Sequence, residues 1–240
     1  MSGHSKFHNI KATKDKADAK RSQIFTKIGR EIAVAVKLGG PDINTNSKLY
    51  DVVQKAKRNN MPNDNITRSI KRASGEMGGS NYDEITYEGY GPNGVAFIVE
   101  CLTDNRNRSA GDVRHLFDRH NGSLGTSGSV LFMFNRMGVV VTNKKDNLSE
   151  DDVMELALNN GADDFAMEDE AIVFYCETNM VKQLSEKLSA EGFEIVSAEA
   201  EFVPNNYVDL TPEQGEKIEN LADALEALDD VQNVYHNGKY

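Results

Sequence analysis

The chain has no tryptophan, only two cysteines and only five prolines in 240 residues. Cys101 and Cys176 stand far apart, each inside an apolar run, which excludes a disulfide framework and any CxxC zinc or redox pair. So little proline excludes a proline-rich linker protein. Long apolar runs are missing too. The longest, residues 171–176 and 130–134, are strand-sized, well short of the roughly 20 residues of a membrane helix. The first residues are polar and basic with no apolar stretch, unlike a secretory leader, and Asp15 and Asp18 among the lysines suit a transit peptide poorly. A soluble, cytoplasmic protein without a membrane partner is expected. The 39% apolar and 27% charged residues support a packed core. The length suits one large domain or two to three small ones, at about 100–200 residues for an ordinary domain.

Catalytic signatures are equally scarce. There is no P-loop, and residues 125–129 hold Gly-Thr-Ser-Gly-Ser, the wrong order for a nucleophile elbow. Residues 89–94 match G-x-G-x-x-G literally. The dinucleotide fingerprint must follow a strand and open a helix, whereas this stretch contains Pro92 and joins two strand-like segments, so it reads as a Gly-rich hairpin. His4 and His8 are four apart but have no cysteine or carboxylate ligand beside them, and His115 and His120 fall on a charged helix. The acidic clusters at 150–152, 168–170 and 229–230 read as solvating residues at turns and helix starts. No metal, cofactor or catalytic set is expected, and hence no enzyme.

What the chain does have is segregated charge. Residues 1–75 hold 16 Lys+Arg against 6 Asp+Glu, a net of +10, and the remainder holds 11 against 32, a net of −21. A basic module that binds a polyanion, joined to an acidic body, fits this division.

In the basic part, residues 1–20 form a Lys- and Ala-rich arm with Lys6, Lys11, Lys14, Lys16 and Lys20. Residues 21–38 have a helical period, with Ile24, Phe25, Ile28, Ile32, Ala35 and Val36 on one face and Lys27, Arg30 and Lys37 on the other. Gly39-Gly40-Pro41 stops that helix. A second helix is expected over 47–59 and a third from a cap at Asn63 or a neighbour to Gly75. Lys55, Lys57 and Arg58 crowd the end of the second; Arg68, Lys71 and Arg72 project from the third. Residues 21–76 therefore form a three-helix basic domain with cations on its solvent sides, and its shape admits a helix-turn-helix reading. Ordinary solvated surface is the bland alternative, but helix surfaces normally mix the two signs.

Strand patterns begin near residue 82. Strands are expected over 83–90, 94–102 and 129–134, with a helix over 109–120. The polar loop at 122–129, with Arg106 and Arg108, offers backbone N–H groups and guanidiniums that could hold a phosphate; a plain connector is the alternative. Residues 135–203 follow a βαββαβ rhythm, the ferredoxin-like arrangement. A helix over 211–228 and a strand over 231–235 can then return to the first sheet, making 80–134 with 204–240 one α+β domain and 135–203 a second inserted in it.

The residues Gly3-His4-Ser5-Lys6-Phe7, Asp18-Ala19-Lys20-Arg21, Asn60-Met61-Pro62, Tyr87-Glu88-Gly89-Tyr90-Gly91-Pro92, Thr103-Asp104-Asn105-Arg106-Asn107-Arg108 and Gly122-Ser123-Leu124-Gly125 resemble the YebC family of probable transcriptional regulators over nearly the whole chain. That family includes the mitochondrial translational activator of cytochrome c oxidase subunit I. Phe7 stands where the family usually has Trp, and Pro41-Asp42-Ile43 replaces its usual Asp-Pro; aromatic and turn character are kept. The resemblance implies a helical N-terminal domain and two ferredoxin-like α+β domains, one inserted in the other. It also implies a non-enzymatic role in gene expression, as a DNA-binding transcriptional regulator or a ribosome-associated translation factor that relieves stalling. An acidic protein–protein adaptor is the reading from another class. The expected partners are DNA or ribosomal RNA, with the ribosome itself as a further candidate; the sequence leaves the oligomeric state open. The phosphate-contacting set is Lys6, Lys11, Lys14, Lys20, Arg21, Lys27, Arg30, Lys55, Lys57, Arg58, Arg68, Lys71, Arg72, Arg106 and Arg108.

Overall fold

The structure is a computed structural model that describes residues 18–75, 81–145 and 148–240. Three helices come first: α1 (Asp18–Gly39), α2 (Ser47–Arg58) and α3 (Asn63–Ala73). Ile28, Ile32, Ala35 and Val36 of α1 pack with Leu49, Val52, Val53 and Ala56 of α2 and with Ile66 of α3 in one core. Asn46 joins the first two helices. Its buried side chain accepts from Leu49 N–H at 3.0 Å, capping α2, and donates to the Ala35 and Gly40 carbonyls at 2.8 Å each. It thus satisfies a start and an end at once, where backbone groups have no partner inside a helix. Asn60 closes α2 at φ 56°, a left-handed angle that asparagine tolerates. Asn60 N–H reaches Lys57 O and Met61 N–H reaches Ala56 O, both at 2.9 Å, while the Met61 side chain enters the core. The residue before α3 is Pro62, with no side-chain cap, and Asn63 is already helical rather than the cap.

An antiparallel hairpin follows, β1 (Asp83–Tyr90) and β2 (Ala96–Thr103), turning at Asn93 and Gly94 with positive φ. The Gly-rich motif is therefore a hairpin. Asn105 caps α4 (Arg106–Arg119), which starts three residues before the expected position. Short β3 (Ser123–Leu124) pairs with β1. The strand expected over 129–134 is instead a 3-10 turn, Leu131–Met133. The reason lies in Glu88 of β1, whose carboxylate takes the N–H groups of Gly128, Val130 and Leu131 and so withdraws them from strand pairing.

The next six elements are β4 (Phe134–Asn143), α5 (Glu150–Asn160), β5 (Asp164–Met167), β6 (Ala171–Cys176), α6 (Val181–Ala190) and β7 (Ile195–Pro204). Their sheet runs β5-β6-β4-β7 with every neighbour antiparallel, the ferredoxin-like order. Helices α5 and α6 cover one face through Val153, Ala157, Leu184 and Leu188. Ser149 and Asp152 form a capping box at the start of α5.

The chain ends with β8 (Val208–Asp209), α7 (Pro212–Glu226), β9 (Val231–His236) and β10 (Gly238–Lys239). Thr211 caps α7 and Pro212 takes its first position, where no N–H is needed. β9 pairs with β2, giving the sheet β3-β1-β2-β9; β10 pairs with β8. Val113 and Phe117 of α4 and Ile218, Leu221 and Leu225 of α7 bury one face of that sheet against Phe97 and Val99. The chain thus divides into two compact units. One is Phe134–Asn205; the other joins the described residues up to Met133 to Asn206–Tyr240. Among the described residues no helix is long and apolar enough to cross a membrane.

Candidate nucleic-acid interface

Helix α1 has two faces with work to do. Beside its apolar stripe, Gln23, Lys27 and Arg30 follow i, i+4, i+7 spacing and meet the end of α7. Gln23 Nε2 donates to the carbonyls of Glu226 (3.2 Å) and Ala227 (2.7 Å), and Lys27 Nζ donates to Glu226 O at 2.8 Å. The last carbonyls of a helix are unpartnered within it and sit at the negative end of its dipole, so a cation suits them. Burial lowers the Lys27 pKa despite the nearby Glu226 charge. Arg30 Nη1 donates to Asp229 O at 2.7 Å and Leu102 O at 3.0 Å and pairs with the Asp230 carboxylate, and its guanidinium lies 5.4 Å from the Tyr82 ring centre.

Asp230 gathers more than Arg30. Its carboxylate also accepts from Thr103 Oγ1 (3.0 Å), Ser109 Oγ (2.6 Å) and Arg108 Nη2 (2.8 Å). Burial alone would raise this carboxyl. The hydrogen bonds from Ser109, Arg108, Arg30 and Thr103 outweigh it and hold the pKa at about 2. Arg108 also pairs with Asp104 at 2.7 Å. A cleft of about 370 Å³ opens beside these groups, lined by Arg30, Asp104, Arg108, Asp112, Asp229 and Asp230 among others. Its cations already face carboxylates, so the cleft offers no ready anion site.

Other cations of the expected set are similarly engaged. Lys55 Nζ lies 2.9 Å from the Glu31 carboxylate in a largely buried pair. Arg106 pairs with Asp83 at 2.8 Å, more than half exposed on both sides. The loop at 122–131 holds an anion, but it is the chain's own. Glu88 accepts from Gly128 (2.6 Å), Val130 (2.8 Å) and Leu131 (2.8 Å). Burial would raise the Glu88 carboxyl, yet these three bonds bring it below its ordinary value. The phosphate expected there is thus replaced at those amides by a side chain three strand positions before Gly91.

Arg68, Lys71 and Arg72 of α3 remain open to solvent. Their i, i+3, i+4 spacing sets them on one face, opposite the buried Ile66. Lys57 is exposed at the end of α2 and Arg21 near the start of α1, while Arg58 is half-buried. Lys6, Lys11 and Lys14 lie outside the described residues, as does the side chain of Lys20 in α1. Three residues organise this region: Gln23, Glu88 and Asp230, the last of which is buried and paired rather than a solvating acid at a turn. Gln23 was detectable, since it shares a helical row with Lys27 and Arg30. Asp230 and Glu88 gave no local signal, because their partners are distant in sequence.

Neither cysteine is poised for chemistry: burial pushes the Cys101 thiol up to about 12 and that of Cys176 to about 11. Among the described residues no group of three or more His, Cys, Asp or Glu side chains could hold a metal ion.

Comparison with known proteins gives consistent matches. Residues 5–76 match the TACO1/YebC protein N-terminal domain, and residues 82–238 match the TACO1/YebC second and third domain. A probable transcriptional regulatory protein of Acetivibrio thermocellus is 56% identical over 99% of this chain and 98% of its own length. One of Thermoanaerobacter pseudethanolicus is 52% identical over 99% of this chain and 96% of that protein. The crystal structure of a conserved hypothetical protein from Aquifex aeolicus is 40% identical and superposes with a TM-score of 0.85, covering 93% of this chain and 92% of that one.

Proposed function

The chain belongs to the TACO1/YebC family, and from that premise we propose that it regulates gene expression by binding nucleic acid, without chemistry of its own. The observation that carries this reading is the solvent face of α3, where Arg68, Lys71 and Arg72 stand together while Lys27, Arg30, Lys55, Arg106 and Arg108 are held by internal partners. The four-residue connection from α2 to α3 has the length of the turn in a helix-turn-helix, in which the second helix meets the nucleic acid. Lys57 and Arg58 extend it, and Lys6, Lys11, Lys14, Lys20 and Arg21 supply further phosphate contacts from the N-terminal side. Such contacts position a duplex without reading its sequence. The site of action is the cytoplasm.

Double-stranded DNA is the favoured target, in keeping with relatives named as probable transcriptional regulatory proteins. A second reading, structured ribosomal RNA, is favoured by the −21 net charge of residues 76–240, which a long duplex repels and a basic ribosomal surface attracts. Crosslinking in cells, followed by sequencing of the bound nucleic acid, separates them. Recovery of promoter-region DNA is expected. Predominant recovery of ribosomal RNA overturns the DNA reading in favour of the second, and recovery of neither overturns both.

A further inference from the structure

The unit Phe134–Asn205 holds 16 acidic residues against 5 basic ones, a net charge of −11. Its helix α5 already has a core face in Val153 and Ala157. On another side it exposes Met154 at 48% and Leu158 at 73%. These two are four apart and so stand one above the other on adjoining turns. At about 100° per residue Leu158 is turned well away from Ala157, so the core stripe gives it no burial. The carboxylates at the helix start have a reason in the fold: Asp152 closes the capping box, and acids suit the positive end of the dipole. Met154 and Leu158 have none. A single exposed leucine is ordinary, but here two apolar side chains form a ridge flanked by the exposed Glu150 on one side and Asp151 and Glu155 on the other.

We propose that this ridge docks a basic protein, one that presents an apolar pocket rimmed by Lys or Arg. Charge selects among the occupants. A second copy of this unit brings the same −11 against it, and a phosphate backbone is repelled by the same carboxylates. A cationic partner is steered inward by the acids and held by the two apolar side chains, the usual division between a polar rim and an apolar anchor. The surface lies in a different unit from α3, so it goes beyond the nucleic-acid reading.

The test uses the full chain in its own cells, with Leu158→p-benzoylphenylalanine as a photocrosslinker and mass spectrometry of the adduct. One adduct with a protein of net positive charge is expected, and its yield falls about tenfold when Met154→Gln or the pair Asp151→Asn and Glu155→Gln is added. All these positions are exposed and Asp152 is left intact, so circular dichroism stays unchanged. An adduct with a second copy, with an acidic protein or with nucleic acid overturns the proposal. So does no adduct, or a basic adduct insensitive to both changes.

Discussion

Asp230 collects two guanidiniums and two hydroxyls on one buried carboxylate, and its loss takes an acceptor from each of the four. Removing one partner of a buried ion pair typically costs about 3–5 kcal/mol. Asp230→Ala is therefore expected to lower unfolding free energy by roughly 3 kcal/mol, discounted because Arg108 is half exposed, as read by urea denaturation. The folded carboxyl titrates at about 2, below its ordinary value of 3.8. Its contribution is whole above about pH 4 and is lost as the pH falls toward 2. His236 acts in a higher window. Burial lowers its imidazole from 6.5 to about 4, where it stacks near Phe97 and Tyr240 and accepts from Gly238 N–H. The unfolded chain takes up this proton near pH 6.5 and the folded one does not, so stability drops between pH 6.5 and 4, by an amount of order 3 kcal/mol. In His236→Phe the unfolding free energy between pH 7 and 5 should be nearly level; an unchanged slope assigns that acid sensitivity to other groups.

Elements were legible in proportion to how local their causes are. The helical stripe of Ile28, Ile32, Ala35 and Val36 and the Thr211-Pro212 start of α7 are set by neighbours in sequence, and both stand where the pattern puts them. The missing strand at 129–134 depended on Glu88, about forty residues away, and no local pattern carries such a bond. Lys27 and Arg30 show the same limit at the site. Periodicity placed them opposite the apolar stripe, which is correct, but only the end of α7 decides that this side is covered. The exposure of the α3 cations was readable because, among the described residues, none covers them. Two element-scale outcomes follow from these long-range bonds. Glu88→Gln keeps one acceptor where three N–H groups converge, so faster amide hydrogen exchange is expected at Gly128, Val130 and Leu131, with the strands of the sheet still protected. Asn46→Ala removes the cap of α2 and the side-chain bonds to the Ala35 and Gly40 carbonyls, which should cost about 2 kcal/mol by thermal or urea unfolding.

At the scale of the molecule, the described cations behind the +10 of the first 75 residues include two differently placed sets. Lys27 and Arg30 tie α1 to the carbonyls after α7, whereas Arg68, Lys71 and Arg72 face solvent. Net charge alone treats the two alike, so neutralising cations in each provides the decisive comparison. For duplex DNA, log K falls with log salt by about 0.9 for each phosphate neutralised. Arg68→Ser, Lys71→Ser and Arg72→Ser together should reduce that slope by roughly 2–3, weaken binding at low salt, and leave the melting temperature within about 1–2 °C, since exposed side chains contribute little to stability. Lys27→Met with Arg30→Met removes a similar kind of charge but takes one guanidinium from the buried Asp230 carboxylate and two donors from the carbonyls around the end of α7, so a lower melting temperature with a salt slope close to that of the parent chain is expected. Fluorescence anisotropy over a salt series and a thermal melt measure both quantities on the same samples. Equal slopes for the triple variant and the parent chain would remove α3 from the interface and leave Lys57, Arg58 and the N-terminal cations as its remaining seat.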